Sequence, residues 1–418
     1  MKKIKKILSK LGPGFITGAS DDDPSGIATY AQTGALFGFA QLWATVFTYP
    51  LMTTVQEMCG RIGLVTGHGL AGVIRRHYSK KLLYGAVFLL VVANTINIGA
   101  NLGAMAASAK LLIDLPFAFW LILMTAITLV LEIFVSYKTY VKYLKYLALS
   151  LFAYVFSAFV VKVDWIEVLK STFIPYVEFS KQYIMNIVAF LGTTISPYLF
   201  FWQANEEVED EIAHHKLRRS GIGVPRVTPK DLSHLRMDTA VGMLFSNVVS
   251  WFIIVTTGAT LYKNGIHTIG SAQDAALALR PFAGDFAFLV FAIGIIGTGL
   301  LAVPVLSGSA SYAVAETFEW KAGLYLKLKK AHGFYGVITI ATLLGLLINF
   351  VGINPIAALY YTAVINGIIA PPLLIFILII ANNGKIMRGR VNNKLQNFLG
   401  LFAILVMSAS ALLLLLTL

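Results

Sequence analysis

Three consecutive carboxylates, Asp21, Asp22 and Asp23, are preceded by Gly18, Ala19 and Ser20 and followed by Pro24, Ser25 and Gly26. They interrupt an apolar stretch that runs from about residue 11 to about residue 36. Charge inside a membrane-spanning stretch is costly and is kept for function. Proline lacks an N–H and disfavours helix at the residue before it, and glycine accepts conformations that other residues avoid. The helix is therefore expected to break near its middle. A broken helix leaves bare carbonyls at the end of one half and bare N–H groups at the start of the other. Carboxylates beside bare carbonyls describe a cation site. Asp23 is the first candidate for direct binding, with a helix cap at the break as the alternative role. Three adjacent carboxylates cannot all face one ion. Asp22 and Asp21 are candidates for a direct or water-mediated contact with the ion, with one expected to line the vestibule and one to be protonated or paired with a base.

A second interruption reads Gly192-Thr193-Thr194-Ile195-Ser196-Pro197-Tyr198. It again sets a glycine, small polar residues and a proline in mid-span. A simple proline kink would explain it alone, since proline is common in membrane spans. Paired with the acidic break five spans earlier, it points to an inverted repeat with a site at the bilayer midplane. The first halves of the two broken helices then end near Ala19, Ser20 and Asp21 and near Gly192 and Thr193. Their carbonyl ends carry partial negative charge and converge. Carbonyl and carboxylate oxygens are hard ligands suited to Mg²⁺, Mn²⁺ or Ca²⁺.

The elements that must position these breaks follow from composition. Of 418 residues, 57% are hydrophobic and 13% charged, against about 25% charged in a soluble globular protein. The chain is read as an all-α polytopic membrane protein. Eleven spans are expected, at about 11–36, 39–59, 82–110, 116–136, 143–162, 183–205, 238–261, 284–314, 333–350, 354–380 and 396–417. With the N-terminus cytoplasmic, 27 of the 33 Lys and Arg residues fall on the inner side, as the positive-inside rule requires. The net charge of +13 is thus topological, and no nucleic-acid partner is expected. The whole chain, 1–418, is one transmembrane domain. Residues 11–162 form the first repeat, 183–380 the second, and 396–417 an accessory helix. No cleavable signal peptide is expected at the N-terminus. Cys59 is the only cysteine, which excludes an internal disulfide and a cysteine metal cluster. No P-loop is present, so ATP-driven transport by this chain alone is not expected. No cofactor is expected, and the protein should act in the bilayer as a monomer or weak oligomer.

Gly12-Pro13-Gly14-Phe15, Asp23-Pro24-Ser25-Gly26 and the mid-chain Gly192–Tyr198 segment resemble the NRAMP family of divalent metal transporters. The resemblance implies the amino-acid/sodium symporter fold, with helices one and six broken, and import of Mn²⁺ or Fe²⁺ with protons. The family motif in the first helix is Asp-Pro-Gly-Asn. Here Asp23 and Pro24 match, Ser25 replaces the glycine and Gly26 stands at the ligating asparagine. The sixth-helix motif is Met-Pro-His. Here Ser196 replaces the methionine, Pro197 matches and Tyr198 replaces the histidine. The resemblance places carbonyl ligands at Ser20 and Thr193. Loss of the thioether removes a soft ligand that prefers transition metals. Ser196 offers a hydroxyl or leaves room for a water, which suits the reluctantly dehydrated Mg²⁺. A tyrosine does not titrate near neutral pH as a histidine does. The pattern therefore is more similar to the divergent NRAMP-related magnesium transporters, which carry Mg²⁺ and Mn²⁺ with little proton coupling.

Other polar residues carry lesser expectations. Asn94, Asn97 and Asn101 share one helical face and either line the path or bond between helices. Glu132 either pairs with Lys138 or a neighbouring base, or belongs to a proton path. Glu57 and Arg61 form an i,i+4 pair. Gln203, Asn205, Glu206 and Glu207 form either an exit route or a solvated helix end. Asn366 is a candidate for lining the path, and His214-His215 is a surface pair. Together these readings give a secondary transporter importing Mg²⁺ and/or Mn²⁺ across a bacterial cytoplasmic membrane, not an enzyme. A proton-coupled Mn²⁺/Fe²⁺ symporter and an amino-acid/cation symporter of the same fold are the alternatives. Two broken helices in one chain favour a carrier over a channel, and the sequence shows no convergent catalytic residues or signalling domain for a membrane enzyme or metal-sensing receptor.

Overall fold

The computed structural model describes residues 12–135, 151–217, 220, 221, 223 and 225–417. All regular structure among them is helical. The basic residues Lys2, Lys3, Lys5, Lys6, Lys10, Lys138, Lys142, Lys145, Arg218 and Arg219, and the first part of the fifth expected span, lie outside the described residues.

The first apolar stretch forms two helices, α1 (Pro13–Asp21) and α2 (Pro24–Phe37). Next come α3 (Trp43–Thr66), the short α4 (Leu70–His77), the long α5 (Lys80–Leu112), α6 (Phe117–Phe134), α7 (Phe152–Val160) and α8 (Trp165–Phe173). The sixth expected span is again two helices, α9 (Lys181–Thr194) and α10 (Pro197–Ala213). After α11 (Pro229–Thr260) come two short helices, α12 (Ala272–Leu277) and α13 (Arg280–Ala283). The chain ends in α14 (Ala287–Thr317), α15 (His332–Ile348), α16 (Pro355–Asn382) and α17 (Lys394–Thr417). Among the described residues, eight helical segments are long and apolar enough to cross a membrane, α9 and α10 counting as one of them.

The stretch between the sixth and seventh expected spans is helical at both ends. Residues 206–213 continue α10 and residues 229–236 open α11. Glu206, Glu207 and Glu211 are buried, so this face of α10 is packed, while Ala213 and His214 at its very end are exposed. The start of α11 is fixed by a capping box between Thr228 and Asp231, with Pro229 in the first turn. This satisfies N–H groups that a helix start leaves bare.

The broken helices occupy the middle of the bundle. α1 and α2 pack along α11, and α10 packs along α3. α5 runs against α14, and α9 against α16. Packing between helices in lipid relies on close approach of small residues. A Cβ on Gly18 would run into the backbone of Gly242, so α1 reaches α11 only because both contact positions are glycine. Asp238 of α11 then caps the start of α1. Its carboxylate accepts from the N–H groups of Gly12 at 2.9 Å and Gly14 at 2.8 Å.

Candidate metal site

The first break is short and fixed by its own side chains. α1 stops at Asp21, and Asp22 adopts φ −82 and ψ 50, outside helical geometry. Asp23 is extended, at φ −70 and ψ 169, and starts α2 as its N-cap, with Pro24 in the first turn. Asp23 Oδ1 accepts from the Gly26 N–H at 2.7 Å and the Ser25 hydroxyl at 2.6 Å. Asp23 Oδ2 accepts from Asn101 Nδ2 of α5 at 3.2 Å. The capping role and the candidate binding role thus fall on the same carboxylate.

Asp21 and Asp22 turn to the other side. The Ser246 hydroxyl of α11 lies 2.7 Å from Asp21 Oδ2 and 3.1 Å from Asp22 Oδ1. All three carboxylates are sealed from solvent, at 0%, 0% and 1% exposure. They diverge between α5 and α11. Among the described residues, no three or more His, Cys, Asp or Glu side chains converge on one point. That agrees with the steric expectation that three adjacent acids cannot share one ion.

The second break carries no charge. α9 ends at Thr194, and Ser196 is the extended N-cap of α10 ahead of Pro197. The Ser196 hydroxyl makes no cap to the helix that follows. It turns back instead, 2.8 Å from the Gly192 carbonyl and 2.7 Å from the Thr193 carbonyl. The two breaks are joined directly. The Tyr198 hydroxyl donates to the Ser20 carbonyl at 3.2 Å. The Thr194 hydroxyl already donates to the Phe190 carbonyl, so Tyr30 donates to Thr194 Oγ1 at 3.1 Å. Both candidate carbonyls, Ser20 and Thr193, are therefore engaged by hydroxyl donors in this conformation.

Gly26 lies in the same place. A Cβ there would stand 3.0 Å from the Asp21 carbonyl and 3.3 Å from Thr193 Oγ1. Its side-chain position thus faces both breaks, but glycine offers no side-chain ligand. What Gly26 brings to Asp23 is an N–H. Ser20, Asp22, Asp23 and Gly26 stand at the first break and Thr193 and Ser196 at the second; the breaks meet through Tyr198, Tyr30 and the space at Gly26, while the Asp22 side chain turns toward α11.

The matched family model is described as natural resistance-associated macrophage protein-like and covers residues 14–417. The chain belongs to the Nramp family. It is 25% identical to the divalent metal cation transporter MntH of Caldanaerobacter subterraneus subsp. tengcongensis, over 100% of this chain and 95% of that protein. It is 24% identical to the MntH of Yersinia pestis strain Pestoides F, over 97% of this chain and 94% of that protein. Its structure is similar to that of the Eremococcus coleocola manganese transporter, with a TM-score of 0.79. That match covers 98% of this chain and 86% of the transporter, at 15% identity. At that identity the likeness is one of fold.

Around the junction of this Nramp chain, the polar face of α5 divides its work. Asn101 reaches Asp23, and Asn97 is held by Asn101 and Thr362. Asn94 instead bonds across to the Leu306 carbonyl at 2.9 Å and the Ser309 hydroxyl at 2.6 Å on α14. Asn366 is buried on α16. Glu132 accepts from Ser307 at 3.2 Å, while Lys138 lies outside the described residues. Glu57 pairs with Arg61 at 3.1 Å as expected, and also with Arg236 at 3.3 Å. Gln203 donates to Glu207 at 2.9 Å, one turn apart on α10. His214 is exposed and pairs with Asp210.

Two residues were missed from sequence. Ser246 and Asp238 stand on a helix more than 200 positions from the carboxylates or the helix start they serve. A serine in an apolar helix carries no local signal for such a contact.

Proposed function

We propose that this Nramp protein is a secondary transporter carrying Mg²⁺ and/or Mn²⁺ inward across a bacterial cytoplasmic membrane, by alternating access and with little or no proton coupling. One observation carries the reading. Three carboxylates are sealed inside the bundle, and among the described residues none forms an ion pair with Lys, Arg or His. An Asp at the centre of a span costs about 3 kcal/mol on insertion scales, so three cost on the order of 9 kcal/mol. A cation substrate offsets that cost in the working cycle.

Asp23 is the charged ligand. The Ser20 and Thr193 carbonyls complete an oxygen shell, with Ser196 and a water at the place of the family methionine. Gly26 leaves room where the family asparagine stands, and Asp22 adds charge from the same break. Binding exchanges the Tyr198 and Ser196 hydroxyl contacts on those carbonyls for the ion. Without a thioether the shell is hard, which favours Mg²⁺ and Mn²⁺ together over selection of a soft ion. An inside-negative potential drives a divalent ion inward by about 4.6 kcal/mol per 100 mV, so uptake needs no proton.

The architecture behind this reading is eleven spans in an inverted five-plus-five repeat, with α17 as the accessory helix. The eight long apolar segments are joined by broken α1–α2, by α3 and by the segment ending in α7. The packing supports the repeat. The first span lies on the seventh, the sixth on the second, and the third on the eighth. That set maps onto itself when the two halves are exchanged. The junction is built within one chain, which fits a monomeric carrier.

The test is uptake by purified protein in proteoliposomes under an inside-negative potential, with a magnesium indicator and an internal pH dye. Saturable Mg²⁺ and Mn²⁺ uptake without acidification, lost in Asp23→Ala, is the expected result. Uptake of Mn²⁺ alone, with acidification, would overturn the Mg²⁺ and coupling assignments.

A further inference from the structure

We infer that the end of the bundle where α2 and α11 finish binds the headgroup of a zwitterionic phospholipid, with its phosphate at Lys263 and its ammonium at Glu167. The site lies apart from the two breaks and does not depend on which ion is carried.

A cavity of about 360 Å³ opens there between α8, the loop after α2 and the end of α11. That is within the range of small-ligand sites. Its lining includes Phe39, Glu167, Ser171, Tyr176, Tyr262 and Lys263. The walls are tied to one another. Thr172 of α8 is buried and accepts from Trp251 Nε1 of α11 at 2.9 Å. Trp43 Nε1, at the start of α3, donates to the Tyr176 carbonyl at 3.0 Å. A Cβ on Gly258 of α11 would stand 3.1 Å from the Gly38 carbonyl, so α11 meets the loop after α2 backbone to backbone.

The surroundings set the depth of the cavity in the membrane. α8 turns Ile166, Leu169 and Phe173 outward, at i, i+3 and i+7, and all three are exposed. A short helix with such an apolar stripe on a membrane protein lies at the boundary between acyl chains and headgroups. Glu167 and Ser171 stand on another side of the same helix and line the cavity. Trp43, Tyr176 and Tyr262 cluster at or beside it, as aromatic residues do at a membrane surface. The apolar stripe is what favours a lipid over a soluble ligand with the same charges.

Charge chooses the headgroup. Glu167 and Lys263 bring opposite charges to one cavity, yet among the ion pairs of the described residues none joins them. Lys263 Nζ stands instead 5.9 Å from the centre of the Phe39 ring. An acid and a base held apart at one cavity match a ligand that carries an ammonium and a phosphate a few atoms apart. An anionic headgroup has no positive charge to offer Glu167, and a simple cation has no negative charge to offer Lys263. The hydroxyls of Ser171, Tyr176 and Tyr262 are further donors for phosphate oxygens.

The experiment is native mass spectrometry of the purified protein, incubated with an equimolar mixture of phosphatidylethanolamine and phosphatidylglycerol. The wild type should retain one phosphatidylethanolamine, favoured about tenfold over phosphatidylglycerol. Glu167→Lys leaves the cavity with two bases and should reverse the preference. Adding Lys263→Glu to it exchanges the two charges and should restore the preference. Both side chains are exposed, so the variants should keep the wild-type unfolding midpoint. Equal retention of the two lipids by the wild type, or an unchanged preference in Glu167→Lys, would overturn the site. Displacement of the retained lipid by an equal concentration of free phosphoethanolamine would assign the cavity to a soluble ligand and overturn the lipid. A wild-type dimer that retains no lipid, and that separates when Phe173→Ser is introduced, would give the face of α8 to a second copy and equally overturn it.

Discussion

The two breaks solve the same backbone problem with different chemistry. Between α1 and α2 the chain uses a carboxylate. Asp23 caps the second half with its side chain and is the carboxyl group of the junction. Between α9 and α10 it uses a hydroxyl. Ser196 ignores the half that follows and turns back onto the carbonyls of the half that precedes it. The first break therefore supplies charge, and the second supplies oriented dipoles and a place from which Tyr198 reaches across. A divalent site needs both, but only charge gives the large electrostatic gain in a low-dielectric interior. Asymmetry between the breaks is thus the property to perturb.

The largest effect should come from removing charge while keeping the cap. Asparagine caps helices about as well as aspartate, so Asp23→Asn should fold normally and still lose uptake to the level of empty liposomes. Ser196→Ala should only weaken uptake in the same assay. Equal losses in the two variants would show that charge is not what separates the breaks. Next in size, the close approaches can be tested by thermal unfolding in detergent. A Cβ on Gly18 runs into Gly242, and one on Gly192 runs into Ala363 and Gly367. Gly18→Ala and Gly192→Ala should each destabilise by about 1–3 kcal/mol through overpacking, because both breaks lean on backbone rather than on side chains.

Restoring a thioether sharpens the comparison from the uncharged side. Ser196→Met should raise the Mn²⁺-to-Mg²⁺ uptake ratio by about tenfold, the equivalent of about 1.4 kcal/mol. An unchanged ratio would mean that residue 196 does not meet the ion. A smaller effect is expected from Tyr198→Phe, which removes the hydrogen bond to the Ser20 carbonyl. It should cost about 0.5–1.5 kcal/mol of stability. If the ion replaces that bond, saturating Mg²⁺ should narrow the stability difference between variant and wild type.

The smallest effect lies outside the spans and serves as a control on the junction. Burial, with Arg76, His77 and Arg388 nearby, holds the His68 imidazole down to about 4, against about 6.5 when unfolded. Its neutral form is the one the fold favours. The stability it contributes is complete above about 6.5 and is lost as pH falls from there toward 4. His68→Gln should flatten that part of the stability profile without changing cation selectivity. Unfolding midpoints between pH 7 and pH 4 would show it.

Much of this was legible in the chain because local chemistry dictates it. Pro24 and Pro197 each stand in the first turn of a second half-helix, where a missing N–H costs nothing, and the residue before each leaves helical geometry. Asp23 was legible twice over, as an acid in an apolar run and as a cap before a proline. Glu57 and Arg61 were legible because one turn of helix puts them together. The apolar runs marked the long helices, and errors gathered at their ends. Glu206 and Glu207 left an exit route and a solvated helix end equally open, and only packing buries them. Tertiary structure alone decided how the three carboxylates divide, with Asp23 toward Asn101 and Asp21 and Asp22 toward Ser246. It alone decided that Tyr198 closes on Ser20. Sequence fixes what a residue can donate or accept over one or two turns. Which partner it meets from a helix hundreds of positions away is set by the packing of the whole bundle.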